Sequence, residues 1–217
     1  MMGFFAKVPA VLFLILFAFC DAPPAAADVL ADSVKDFSGE QGLHGWWYGY
    51  WDESADPDGA YDQTDDFRPL PSFGTDPINR LSLRSEFTTG DLWYLDDGRF
   101  YTSLWAEGGH PHGDLELGSY ARAKHWAVRR WISPVSGRVE IRGHAGKVMP
   151  WGENWRGGCV FHIVVDGERI FDADVADGGQ GYSVLAEVAE GSTVDFLIGP
   201  GTAIGVMRFT AALRDAW

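Results

Sequence analysis

The chain has 217 residues, is 46% hydrophobic, and carries a formal charge of -14 together with ten tryptophans and two cysteines. So acidic a surface repels nucleic acid and the anionic leaflet of a membrane. With Cys20 in the leader described next, Cys159 alone excludes an intrachain disulfide and reads as a small buried core residue.

The chain opens with Lys7, an almost unbroken apolar run over residues 8–20, and the small residues Ala25, Ala26 and Ala27. This is the pattern of a secretory signal over residues 1–27, with cleavage expected before Asp28. As a helix the apolar run reaches only roughly 20 Å, short of the hydrocarbon core of a bilayer, so no membrane insertion is expected after cleavage. A lipoprotein needs a small residue before its cysteine, and Phe19 precedes Cys20. The expected location is secreted or periplasmic, with residues 28–217 forming a single domain.

After Asp28 only short helical pieces are expected, one of them over residues 28–35. Glycine and proline interrupt the chain at short intervals, and the stretches between them are rich in Val, Ile, Phe, Tyr and Trp, the pattern of many short strands. Five of the six residues 46–51 are aromatic. In a strand, Trp46, Tyr48 and Tyr50 line one side while Trp47 and Trp51 line the other. Either one set packs in the core and the other stacks on something flat such as a sugar ring, or a neighbouring loop buries both. Residues 52–66 follow, with seven carboxylates, no cation, Pro57 and Gly59; they read as an exposed loop.

Residues 121–142 concentrate six cations: Arg122, Lys124, Arg129, Arg130, Arg138 and Arg142. Consecutive Arg129 and Arg130 point to opposite faces, so one is directed inward and needs a carboxylate partner, or else meets a ligand in a cleft. Trp131-Ile132-Ser133-Pro134 reads as a strand ending at a proline. Residues 138–142 alternate strictly, which buries Val139 and Ile141. Residues 160–165 run into Asp166-Gly167, a two-residue turn favouring positive φ, and residues 168–175 return. Further strands are expected at 182–188, 192–198 and 206–213. Ile163, Val165, Phe196, Ile198, Phe209 and Leu213 complete the expected core. The fold class is all-β: an antiparallel β-sandwich, jelly-roll-like.

Three segments carry a resemblance: Asp36-Phe37-Ser38-Gly39-Glu40-Gln41-Gly42 leading into Trp47-Tyr48-Gly49-Tyr50; residues 127–137, Ala-Val-Arg-Arg-Trp-Ile-Ser-Pro-Val-Ser-Gly; and Val194-Asp195-Phe196-Leu197-Ile198-Gly199-Pro200-Gly201. Together they resemble a poorly characterised secreted bacterial β-sandwich module, similar in architecture to jelly-roll carbohydrate-binding modules. The resemblance implies fold over nearly the whole mature chain and carries over no catalytic residue. The acidic segment after Trp51 departs from the pattern.

The chemistry-bearing residues divide into three groups. Trp46, Trp47, Tyr48, Trp51, Trp151 and Trp155 are candidate sugar-stacking rings, since aromatic faces suit the apolar C–H faces of sugars, and Arg130 is a candidate polar contact. Large aromatics are also the usual filling of a core. His110-Pro111-His112 followed by Glu116 resembles the first metal motif of cupins and is a candidate transition-metal set, although no glycine stands six residues before His110 and Pro150-Trp151-Gly152 is not followed by the histidine that the motif expects. His125 and the remaining histidines show no ligand spacing. Asp56, Asp58 and Asp62 have spacings that a calcium ion can use, the one cofactor entertained, but lack the register and terminal glutamate of an EF-hand. A G-x-S-x-G elbow and a phosphate-cradling glycine loop are both absent.

The function expected from the sequence is an exported, non-catalytic module that binds a polysaccharide or glycan through surface aromatics. The alternatives are a structural or adhesive protein making contacts at the envelope, a cupin-like metalloprotein, and a polysaccharide-degrading enzyme with paired carboxylates.

Overall fold

A computed structural model describes residues 28–75, 90–95, 99–113, 122–148, 159–175, 178–201 and 205–216. Residues 1–27, expected to be a signal segment, together with Glu116, Trp151 and Trp155, lie outside the described residues.

The strands in chain order are β1 Val29–Asp32, β2 Trp46–Asp52, β3 Arg68–Pro69, β4 Ser72–Gly74, β5 Leu92–Tyr94, β6 Ser103–Trp105, β7 Gly108–His110, β8 His125–Ile132, β9 Gly137–Val148, β10 Cys159–Val165, β11 Glu168–Val175, β12 Gln180–Val188, β13 Thr193–Pro200 and β14 Val206–Asp215. They form two antiparallel sheets. One has eight strands in the order β12-β9-β14-β7-β6-β5-β4, with β1 added on β14; the other has six in the order β11-β10-β13-β8-β2-β3. The fold is the all-β sandwich expected.

The alternating segments behave as their periodicity requires. Val139, Ile141, Ile163, Val165, Phe196, Ile198, Phe209 and Leu213 are all buried between the sheets, where Phe196 meets Phe209 at 5.0 Å and Phe161 meets Phe209 at 5.4 Å between ring centroids. The β10–β11 hairpin turns through Asp166 (φ 47) and Gly167 (φ 85), the positive-φ pair that a two-residue connection of this twist demands. Residues 28–35 depart from the expected helical piece. Val29–Asp32 instead pairs antiparallel with β14, Ala31 against Leu213, and Asp32 Oδ1 accepts the amides of Val34 and Lys35 in the turn that follows. The apolar margin of β14 outweighs local propensity there.

β2 resolves the two-faced aromatic run in favour of burial on both sides. Trp46 and Tyr48 lie in the main core at 0% exposure, Tyr48 stacked on Trp93 at 5.6 Å. On the opposite face Trp51 packs on Trp126 and on Tyr61, each at 5.5 Å, within a second cluster that includes Val128, Val164, Leu197 and Phe67. Tyr61 and Phe67 come from the acidic segment, which therefore folds back as a cover over the six-stranded sheet. Gly49 makes this fit possible: a Cβ there would stand 2.5 Å from the Phe67 ring.

Candidate functional site

The acidic cover is held by charges. Glu53 accepts from Lys124 Nζ at 2.6 Å and from Trp126 Nε1 at 2.5 Å, and Trp51 Nε1 donates to Asp56 at 3.2 Å. Arg130 points outward beneath this cover, donates to both oxygens of buried Asp195 at 2.7 Å, and lies 4.1 Å from the Phe67 ring. Tyr61 donates its hydroxyl to the same Asp195 at 2.8 Å. Burial pushes the Asp195 carboxyl above its ordinary range while Arg130 and Tyr61 pull it back; for Arg130, burial is outweighed by the hydrogen bond and charge of Asp195, which raise its pKa. As placed, Arg130 is a structural ion pair.

The inward residue is Arg129, whose hydrogen bonds go to backbone carbonyls while the Glu107 carboxylate acts on it through its charge. Its guanidinium donates to the carbonyls of Ser33, Ala106 and Trp105 and lies among the rings of Phe37, Tyr48 and Phe209.

Asp56, Asp58 and Asp62 share the acidic cover, but their oxygens serve the local turns: Asp56 also caps Asp58 N, Asp58 caps Ala60 N, and Asp62 caps Thr64 N and Asp65 N. Hydrogen bonds from the Thr64 and Asp65 amides hold the Asp62 carboxyl below its ordinary pKa. Among the described residues no group of three or more His, Cys, Asp or Glu is arranged to hold a metal ion.

A cluster of imidazoles and aromatic rings lies where the ends of β2, β7 and β8 meet the start of β6. His112 and His125 exchange backbone hydrogen bonds at 3.0 and 2.8 Å, which brings their rings to 5.6 Å. Phe100 touches both rings, at 5.2 and 4.6 Å, while Tyr101 stacks on His110 at 4.9 Å and Tyr50 lies 5.4 Å from His125. The three histidines are buried; Tyr50, Phe100 and Tyr101 are half-buried, and exposed Arg68 and Arg99 lie beside Tyr50 and Phe100.

Hydrogen bonds set the tautomers of His110 and His112. His110 Nδ1 donates to the Pro111 carbonyl, so Nε2 carries its lone pair. His112 Nδ1 accepts the Tyr101 amide at 3.2 Å, so the neutral ring carries its proton on Nε2. His125 Nδ1 meets the Thr102 hydroxyl at 2.9 Å, and its Nε2 faces Asp52 at 3.6 Å. His110 and His112, paired in the sequence as ligands, thus present unlike groups.

Burial holds the pKa of His110 down to about 4, with His112 adding to it and the Pro111 hydrogen bond opposing; burial does the same to His125 against the pull of Asp52. These rings are neutral at pH 7. Their unfolded values are higher, so the unfolded chain binds more protons between about pH 6.5 and 4, and stability falls as pH falls through that window. The loss from His110 is on the order of 3 kcal/mol. Urea midpoints should therefore drop from pH 7 to pH 4.5, and His110→Gln should lessen the drop; an equal drop in the variant would exclude His110 as a source.

Of the rings named from the sequence, Trp46, Tyr48 and Trp51 are packed inside, and Trp47 is half-buried. The reading missed Phe100, Tyr101 and His125. No spacing signals them, because the antiparallel bridge between His112 and His125 brings together positions that are separate in the chain.

No family model matches the chain, and no curated protein matches it. It is similar to solved structures that include a family 35 carbohydrate-binding module from Clostridium thermocellum, at 13% identity over 47% of this chain and 85% of that one, with a TM-score of 0.29. Others are a xylan-binding domain from Paenibacillus barcinonensis (12% identity, 49% of this chain and 82% of that one, TM-score 0.27) and a β-glucosidase from Kluyveromyces marxianus (10%, 89% and 19%, 0.34). The ligands in those names belong to those proteins.

Proposed function

We propose that the chain is an exported, non-catalytic β-sandwich that binds a glycan, with Tyr50, Phe100 and Tyr101 as part of the contact surface. The observation that carries this reading is a set of half-buried rings bounded by exposed Arg68 and Arg99 and by Asp52. Ring faces suit the apolar C–H faces of a sugar, and the charged groups beside them suit its hydroxyls. Neutral, hydrogen-bonded histidines behind the rings fix their positions without adding a charge that a neutral ligand would have to desolvate. Export is supported by the apolar run and small residues of the N-terminal segment. Trp47, Trp151 and Trp155 remain proposed contributors, as do calcium at Asp56, Asp58 and Asp62 and a transition metal at His110, His112 and Glu116; metal analysis of the purified protein tests the last two. A second reading, a structural or adhesive module, is favoured by the open strand margin described below.

Pull-downs on insoluble polysaccharides and calorimetry test the glycan. Each stacking ring should contribute about 1 kcal/mol, so Phe100→Ala/Tyr101→Ala, once shown to fold, should bind more than about tenfold more weakly than wild type. Trp151→Ala/Trp155→Ala asks the same of the second pair. Unchanged affinity in both variants removes these rings as the site, and no binding by wild type to any polysaccharide removes the function.

A further inference from the structure

The margins of a sheet present unpaired backbone groups, and natural sandwiches blunt them. On the six-stranded sheet, β3 is two residues long and contains Pro69, and the rest of β2 is satisfied by other means. Gly42 N donates to Trp46 O at 2.7 Å, and the Gln41 side chain stands in for a strand, accepting from Tyr48 N and donating to Tyr48 O at 2.8 Å each. At the opposite margin, β11 carries Glu168, Arg169, Asp172 and Asp174, and its pairing with β10 slips between Ile163 and Val164. In the eight-stranded sheet, β4 has three residues and β1 four.

β12 has none of these devices. Its nine residues pair with β9 in unbroken register from Gln180↔Ala145 to Val188↔Gly137, without proline and with one charged residue, Glu187. Among the described residues no strand pairs with its other side, and Leu185 on its outer row is 52% exposed. Such a margin is a template for another strand.

We propose that two copies of this chain join through β12, antiparallel about a two-fold axis at Leu185, so that their larger sheets become one. The sequence of β12 is self-complementary in that register. On the outer row Leu185 meets the partner's Leu185, and Ser183, whose hydroxyl donates to Glu140 of its own chain at 2.8 Å, meets the partner's Glu187. On the inner row Val184 meets the partner's Ala186, and Tyr182 meets the partner's Val188, extending the core. Shifting the axis to Val184 would set Leu185 against the partner's Ser183 and separate the two leucines, which makes it the poorer register.

Sedimentation equilibrium of the mature chain over a concentration series, with hydrogen exchange along β12, is the test. Wild type should form a dimer with protected amides within Gln180–Val188. Leu185→Lys, which opposes two ammonium groups, and Ser183→Glu, which opposes carboxylates, should each raise the dimer dissociation constant at least about tenfold and speed that exchange. Both positions are exposed, so the fold should survive, as near-ultraviolet circular dichroism will show. A monomer at every concentration, or a dimer that neither substitution weakens, overturns the proposal.

Discussion

Replacing Asp195 with alanine is expected to destabilise the protein by about 3 to 5 kcal/mol, because it strips the partner from a buried charge. Asp195 is fully buried, and its two oxygens receive both Arg130 donors and the Tyr61 hydroxyl. The attraction between the two charges is not the source of so large a loss, since the desolvation of both offsets most of it. The loss arises from the guanidinium left beneath the acidic cover, where Phe67 lies over it and only the Gln63 carbonyl and the Tyr61 oxygen remain to accept. Removing both charges together is therefore predicted to be milder: Arg130→Met/Asp195→Leu should lose less than Asp195→Ala alone. Urea unfolding at pH 7 of the two variants and of Arg130→Met closes a double-mutant cycle. The cover should also loosen in Asp195→Ala, since Tyr61 and Gln63 anchor it, and limited proteolysis should cut residues 52–67 sooner. A loss under about 1 kcal/mol in Asp195→Ala would mean that water reaches the pair and that the cover is not sealed.

The reach of sequence reasoning follows the length of each strand. β9, β10 and β14 are seven to twelve residues long, enough for alternation to mark Val139, Ile141, Ile163 and Leu213 as inward. β4, β5, β6 and β7 have three residues each, too few for a period of two to be seen, and the candidate site sits beside two of them. The aromatic run over β2 showed that it had two faces. Which option covered the second was carried by Tyr61 and Phe67, two rings in a segment whose carboxylates dominate its composition. Polar acid residues and a buried cover are compatible there because the carboxylates turn to turn-capping, to Lys124 and to indole N–H groups, while the rings turn inward. For Arg129 and Arg130, alternation gave opposite faces. It did not give partners, because Asp195 lies 65 residues further along the chain. Imidazole tautomers were out of reach for the same reason: each depends on a hydrogen-bonding partner, such as the Tyr101 amide, that only the fold supplies.

Arg129→Met is expected to cost about 3 to 5 kcal/mol although it fills nearly the same space with an apolar side chain. Where a buried ion pair is replaced whole, both charges leave and the core can gain. Arg129 has carbonyl oxygens for partners, and these belong to the backbone: Ser33 in the turn after β1, Trp105 at the end of β6 and Ala106 in the turn that follows it. No side-chain substitution elsewhere can remove them, so each is left buried and short of a donor at about 1 kcal/mol or more. The rings of Phe37, Tyr48 and Phe209 lose a cation 5.2 to 5.6 Å from their centroids, which adds to the loss. Burial lowers the guanidinium pKa to about 10, so the group is still charged at neutral pH and the hydrogen bonds are charge-assisted. Arg129→Lys keeps one charge but has no planar fork to span three carbonyls on two turns, and it should recover only part of the loss. Thermal and urea unfolding of the three proteins, ranked wild type, Lys, Met, gives the measurement. If Arg129→Met matched wild type, the carbonyls would have to be satisfied by water entering the core, and the arginine would not be what ties β1, β8 and the β6–β7 turn together.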